Sequence, residues 1–260
     1  MNFQRVLGVF YRYFYLLRKG LMQLSDLFYW PLIDIFLWGL TSMWIRSQVD
    51  VPNLPLILMT ALIFYQISWR GSIDISTNIL QEVWNRNLVN IFSTPLKLSE
   101  WVAGSILLSL CKLGISIMFG ALVVYLLYAL NVFTIGWAFL PFAVSLLIFG
   151  WSLGFVAAAA VVYWGHRIEM IAWMIGVIFA PFSAVFYPVS ILPEWAQKVA
   201  WSLPPTYVFE GMRSILNNGA FPIFDFCMSM TLNFCFLFLA IFLFRYSFNK
   251  SRMKGLGRLE

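Results

Sequence analysis

The sequence is poor in charged residues and in the residue types that bind metals or nucleotides. Asp, Glu, Lys and Arg make up 11% of its 260 residues, less than half the share of about 25% in soluble domains. The single histidine, His166, has no nearby partners for a metal site. Cys111, Cys227 and Cys235 lie in apolar runs without CxxC spacing, which predicts buried thiols. The sequence also lacks a GxxxxGK[ST] phosphate loop. We therefore expect no catalytic residue, metal, cofactor or nucleic-acid partner.

Long apolar runs are abundant instead. The chain is 62% hydrophobic and 19% aromatic, with a mean hydropathy of +0.83. Crossing a bilayer as a helix takes about 20 apolar residues, and six runs are long enough. They predict an all-α polytopic membrane protein, organised as a single transmembrane domain over residues 1–260. The predicted spans are 27–45, 54–73, 102–130, 136–164, 169–187 and 225–246.

The first residues predict a helix that lies in the membrane surface. Over residues 1–24, apolar side chains form one stripe, whereas Arg5, Arg12 and Lys19 lie seven residues apart and share the opposite face. Such a helix places its cations near anionic headgroups. A basic tail that only sets the topology is the alternative.

A polar interruption separates the second and third predicted spans, over residues 74–101. Within 75–92, apolar residues recur at helical spacing and polar residues fill the other face, which predicts an amphipathic helix. Two interpretations remain open: the helix receives force from a partner, or it only anchors the loop. The candidate partner contacts are Glu82, Asn85, Arg86, Asn87 and Asn90, followed by the turn at Thr94 and Pro95, where Pro95 disfavours a helical Thr94.

Lys and Arg are unevenly distributed among the segments that join the spans. If both termini are cytoplasmic, most of them fall on inside segments, and only Arg46, Lys198 and Arg213 fall outside. Lys and Arg favour the cytoplasmic side of short loops. The bias therefore predicts cytoplasmic termini and a cytoplasmic 74–101 segment.

The loop before the last span is rich in proline yet apolar. Residues 186–213 include Pro188 and Pro193. Non-helical backbone at membrane depth is tolerated only against protein or water, so we expect this segment to pack on the protein and help close the outer end of a pathway. Glu210 and Arg213, three residues apart, could pair at that gate. An interfacial aromatic anchor, with a surface ion pair of no consequence, is the alternative.

Two ionisable residues, Asp34 and Lys112, lie inside predicted spans. A charge at a span centre costs about 2.5–3.5 kcal/mol on insertion scales. We expect Asp34 to face protein or water, lining a conduit or a subunit contact. Lys112 would pair with Asp34 or extend its amine to the cytoplasmic surface.

Two further patterns concern the packing of the spans. Gly150 and Gly154, with Ala157 to Ala160, form a small-residue face that favours close helix contact. Several aromatic residues could line a conduit, although lipid contact or packing between helices is the favoured interpretation of each one. These residues are Phe36, Trp38, Tyr65, Trp69, Trp151, Trp173 and Phe179.

The chain resembles the type-two exporter permeases of the ATP-binding-cassette transporters, a family that exports drugs, lipids and polysaccharides. Two stretches carry the resemblance. One is RNLVNIFSTPLKLSEWVAG, from Arg86 to Gly104. The other contains an aromatic-Pro turn, a Leu-Pro-x-Trp motif, a later Leu-Pro-x-Thr-Tyr motif and a closing Glu-x-x-Arg. In this sequence they are Tyr187-Pro188, Leu192 to Trp195, Leu203 to Tyr207 and Glu210 to Arg213.

The resemblance implies six spans, a coupling helix after the second and a reentrant hairpin over 188–222. It also implies two permease copies and two separate ATP-binding subunits, which carry the ATP and magnesium, in a prokaryotic inner membrane. The substrate would be an amphipathic, lipid-linked or polysaccharide molecule among membrane lipids. An intramembrane enzyme that uses Asp34, Asp74 or His166, or a scaffold without transport, is the alternative.

Overall fold

The computed structural model describes residues 2–48, 53–253 and 255, and these residues form helices and turns with no β-strand. Four 3₁₀ segments join or extend the helices, at Val132–Ala138, Gly165–Ile168, Ala180–Phe182 and Val189–Ile191. The α-helices are α1 (Phe3–Lys19), α2 (Leu21–Gln48), α3 (Leu54–Trp84), α4 (Leu88–Ser93), α5 (Leu98–Tyr128), α6 (Phe139–Trp164), α7 (Glu169–Ile178), α8 (Glu194–Trp201), α9 (Pro204–Asn218) and α10 (Ile223–Met253).

Four segments of the described chain are long and apolar enough to cross a membrane, judged by length and composition. They are Leu54–Trp84, Leu98–Tyr128, Val132–Trp164 and Ile223–Met253, which overlap the predicted second, third, fourth and sixth spans. The helix α2 is 28 residues long but less apolar. The arrangement of six spans therefore stays a prediction.

The predicted fifth span, 169–187, is not one continuous helix. Its α-helix ends at Ile178, a 3₁₀ turn follows over Ala180–Phe182, and Ala184 has a left-handed φ of 54°. Pro181 explains the break, because it has no N–H to donate to the preceding turn. The irregular chain from 183 to 188 is central to the site described below.

The helix α3 lies at the centre of the bundle and touches α6 at unusually short range. A Cβ added to Gly154 would lie 2.7 Å from the Ser72 carbonyl oxygen, and one added to Gly71 would lie 3.2 Å from the Gly150 Cα. Ala157 and Ala158 are fully buried on the same helix. The predicted small-residue face of α6 is thus confirmed.

The bundle has two distinct ends. One end, which we call the basic end, consists of α1, the turn from α3 through α4 to α5, the 165–168 turn and the last turns of α10. Here the Trp84 indole donates to a Glu169 carboxylate oxygen at 3.0 Å, and the Ser251 hydroxyl donates to the Val162 carbonyl at 2.6 Å. The opposite end holds the 128–139 segment and the chain from 179 to 223. Residues 254 and 256–260, part of the predicted cytoplasmic terminus, lie outside the described residues.

The cysteines differ from the prediction of buried thiols. Cys111 is half-buried, but Cys227 and Cys235 are exposed on α10. Only 17% of the most apolar window of α10 is buried within the chain. Apolar residues on this helix therefore face outward, as lipid-facing residues do, rather than into a protein core.

Candidate functional site

The segment predicted to be one amphipathic helix over 75–92 is divided between two helices. Its first part, to Trp84, is the end of α3, and α4 begins only at Leu88. Arg86 breaks the helix with a left-handed φ of 49°. Residues 75 to 80 are buried, so the structure corrects the prediction: only the turn from 84 to 97 lies at the surface. We call it the coupling turn.

Glu82 is not available to a partner, contrary to the prediction. Its side chain is 1% exposed. Arg12 of α1 donates to both carboxylate oxygens, at 3.2 and 2.9 Å, and the Asn87 amide donates to one of them at 3.0 Å. Sequence periodicity placed Glu82 on a polar face, but α1 covers that face and supplies the opposite charge.

The other candidates lie on the coupling turn itself. Asn87 is half-buried and accepts a hydrogen bond from the Asn90 amide at 3.2 Å. The exposed candidates are Asn85, Arg86, Asn90, Thr94 and Pro95. Their side chains form a polar ledge between the ends of α3 and α5.

The N-terminal helix α1 packs against this ledge through hydrogen bonds and an ion pair. Arg5 donates to the Pro95 carbonyl at 2.6 Å and lies 3.6 Å from Glu100, whose other oxygen accepts from the Asn2 backbone N–H at 2.7 Å. Arg5 and Arg12 therefore bind protein carboxylates, whereas the sequence predicted contact with lipid headgroups. The Lys19 side chain lies outside what the structure describes.

A hydrogen bond between two aromatic side chains also joins α1 to α5. The Trp101 indole donates to the Tyr13 hydroxyl at 2.9 Å, and both side chains are buried. Burial raises the pKa of Tyr13 well above its usual value, and the Glu82 carboxylate raises it further. Tyr13 therefore stays a neutral phenol and a structural part of the contact.

A polar row on α3 escaped the sequence analysis. Gln66, Arg70, Asp74, Asn78 and Glu82 follow one another at intervals of four residues and are all at least nine-tenths buried. Residues four apart lie on neighbouring turns of one helix face. The interval was visible in the sequence, but its members were divided between the predicted second span and the predicted amphipathic helix. We call these five residues the α3 polar row.

Each charged member of the row binds a different helix. Arg70 donates to the Asp26 carboxylate of α2 at 2.5 Å and to the Asp26 carbonyl at 2.8 Å. Asp74 accepts from the Lys112 amine of α5 at 2.9 Å, and Glu82 binds α1. Ion pairs thus join three helices to α3.

The predicted alternatives for Lys112 are both wrong. It lies near the middle of the 31-residue α5, its side chain is 10% exposed, and its partner is Asp74. Asp34, in the middle of α2, instead accepts a hydrogen bond from the Gln66 amide at 3.2 Å. Spacing along the sequence could not decide which carboxylate lies beside the amine.

Asp34 borders a cavity of about 670 Å³ between α2, α3 and α7. Asp26 of α2 and Gln66 of α3 also line this cavity, and the rest of the lining is mainly aromatic. Trp38 stacks on Phe186 at 4.2 Å between ring centroids. Four of the aromatic residues proposed from the sequence line this cavity: Trp38, Tyr65, Trp69 and Trp173.

At the opposite end, Arg213 organises the irregular chain. Its guanidinium donates to the carbonyl oxygens of Ala184, Val185 and Tyr187, the last two at 3.0 Å. Burial lowers the pKa of Arg213 from its usual value, and the Glu210 carboxylate opposes that effect. The segment thus packs on the protein, as the sequence predicted.

Glu210 completes this arrangement. It lies 3.4 Å from Arg213, as the spacing of three predicted, and accepts the Val189 backbone N–H at 2.7 Å. Pro188 immediately precedes the 3₁₀ turn at Val189–Ile191, and Pro193 immediately precedes α8. Side chains here satisfy the backbone groups that a continuous helix would have paired.

Long apolar helices packed around buried ion pairs define an integral membrane protein. A comparison with known protein families identifies its family. The sequence matches the family model of the ABC-2 type transporter over residues 12–217, which is most of the chain. The chain belongs to this family and is a permease subunit of an ATP-binding-cassette transporter. Membership implies an ATP-binding partner and a second permease. No curated protein matches the sequence.

Proposed function

We propose that the chain is half of the membrane channel of an exporter, a dimer driven by two separate ATP-binding subunits that dock at the basic end. The single observation that carries this proposal is the coupling turn. It is an exposed polar ledge that directly joins two long helices, with α1 clasped against it.

The proposed transmission of force depends on stiffness. A load on the ledge passes into α3 through a helix end that the Arg12 and Glu82 pair holds to α1. From α3 it passes to α5 through Lys112 and to α2 through Arg70. Slack chain between the ledge and the spans would absorb the motion, but only thirteen residues separate the end of α3 at Trp84 from the start of α5 at Leu98.

The proposed pathway runs along the cavity beside Asp34. Its aromatic walls favour an amphipathic or lipid-linked cargo, and aromatic stacking also suits a polysaccharide. The segment held by Glu210 and Arg213 would close its outer end. With the basic end facing the cytoplasm of a prokaryotic cell, as Lys and Arg favour, transport would be outward across the inner membrane.

A variant that separates ATP hydrolysis from transport tests the proposal. We expect the triple substitution Asn85→Ala, Arg86→Ala and Asn90→Ala to abolish transport in vesicles while the complex still assembles and its partner still hydrolyses ATP. The matched control replaces one exposed arginine and two exposed amides at the opposite end, Arg46, Gln48 and Asn131, with alanine. Normal transport by the first variant would show that the ledge is not the docking surface.

A further inference from the structure

A second cavity, of about 820 Å³, lies near the basic end between α5 and α10, with α6 as its floor. Its deep part is apolar. Val102 and Ile106 form one wall, Leu237 and Ile241 the other, and Trp151 and Phe155 the floor. Because Ile241 is 39% exposed, the groove opens on the outer side of the bundle, where acyl chains would surround it.

The mouth of the same groove is strongly basic. Lys97 begins one wall, and Arg245 and Arg252 continue the other. The two arginines are seven residues apart, so they share a face of α10 with the apolar Ile241. The lining contains no Asp or Glu. Among the described residues, no carboxylate forms an ion pair with any of these three exposed cations.

We propose that this groove binds one anionic phospholipid, with its phosphate between the three cations and an acyl chain over Trp151 and Phe155. Polarity changes along the groove in the same order as in a lipid, from charged headgroup to apolar chain. Basic pockets between spanning helices on the cytoplasmic side suit such headgroups. The apolar depth disfavours a small soluble anion, which would leave that surface unfilled.

A second copy of the chain fits this face poorly. In a two-fold contact the same patch meets itself, so two strongly basic surfaces without carboxylates would face each other. A phospholipid instead brings the opposite charge. The mouth of the groove shares Thr94, Pro95 and Lys97 with the coupling turn, but binding of the lipid requires neither ATP nor a transported substrate, so it can be tested without transport.

Native mass spectrometry of the purified permease complex, incubated with phosphatidylglycerol or phosphatidylethanolamine, tests the proposal. We expect one phosphatidylglycerol per permease chain to be retained in preference to phosphatidylethanolamine. Each basic residue near a membrane surface contributes roughly a fivefold attraction to anionic lipid, so the double variant Arg245→Gln, Arg252→Gln should bind at least about tenfold more weakly. The matched control, Arg167→Gln with Lys250→Gln, removes two cations at the same end outside the groove and should bind as the parent does.

A variant in the apolar half separates a lipid site from general surface charge. Ile106→Trp fills the groove and keeps all three cations, and we expect it to lose the retained phosphatidylglycerol as well. Melting temperatures measured in phosphatidylethanolamine alone verify that each variant is folded. Equal retention of the two lipids by the parent protein, or undiminished retention by Ile106→Trp, would overturn the proposal.

Discussion

Two sides of α3 are held in different ways. Towards α6, backbone approaches backbone, and glycines leave no room for a Cβ between the helices. Towards α1, α2 and α5, contact is made through charged side chains of the α3 polar row. Close packing has one favourable geometry, because interiors are dense and resist change in volume. Ion pairs at the ends of long side chains tolerate more displacement.

The side that carries the Lys112 pair also has buried polar groups without hydrogen-bond partners among the described residues. Several buried polar groups have no hydrogen-bond partner in the described chain. Among them are Asp74 Oδ2, Asn78 Nδ2 and the hydroxyls of Ser105 and Ser109. They belong to the side of α3 and α5 that carries the Lys112 pair. A polar site with unused donors and acceptors can exchange partners when the helices move. The glycine contact between α3 and α6 is therefore expected to be the more rigid of the two, and the contact through Lys112 the more adaptable.

The largest expected effect is at the centre of the polar side. Lys112→Met leaves the Asp74 carboxylate buried without a cation, and breaking such a pair costs about 3–5 kcal/mol. Titration with a denaturing detergent in mixed micelles measures the free energy of unfolding. The double variant Lys112→Met, Asp74→Leu removes the orphaned charge and should recover most of the loss. A Lys112→Met protein as stable as the parent would mean that the pair does not hold the helices together.

A smaller effect is expected on the glycine side. In Gly154→Val the new Cβ would lie 2.7 Å from the Ser72 carbonyl oxygen and 3.0 Å from the Ile75 Cβ. Overpacking of this kind costs about 1–3 kcal/mol, measurable as a lower melting temperature. Gly114→Val is the matched control, because nothing lies within 4 Å of the Cβ position at Gly114. Equal melting temperatures for the two variants would contradict the proposed rigid contact.

The comparison also shows which contacts a sequence reveals. Gly150 and Gly154 are separated by one helical turn inside an apolar run, so their spacing was sufficient to predict close packing. The spacing of Glu82 was equally regular, but its environment depends on α1, which lies seventy residues earlier in the chain. Helical periodicity identifies a polar face, and it does not distinguish water from a covering helix with the opposite charge.

The irregular segment bound by Arg213 was predicted only in part. The Leu-Pro motifs predicted a packed irregular segment near Glu210 and Arg213, and the structure has one. The partners of Arg213 are backbone carbonyls of Ala184, Val185 and Tyr187, which every residue type possesses. Side-chain identity therefore gave no signal of which residues the guanidinium would bind.

The smallest expected effect is at the exposed end of the polar row. Arg12 is 42% exposed, so its charge is partly screened, and a glutamine at this position can still donate a hydrogen bond to the buried Glu82. We therefore expect Arg12→Gln to cost only about 1 kcal/mol of global stability. Its local effect should be larger, because the buried Glu82 carboxylate loses the cation that joins it to α1. We expect faster amide hydrogen exchange across α4 and the first turn of α5, since α1 no longer holds the ledge. Arg18→Gln, an exposed change on the same helix, should leave exchange unaltered. Exchange at the parental rate in the Arg12 variant would show that α1 does not hold the coupling turn. If Lys112→Met were destabilised all the same, the ion pairs of the α3 polar row would stabilise the protein independently of one another.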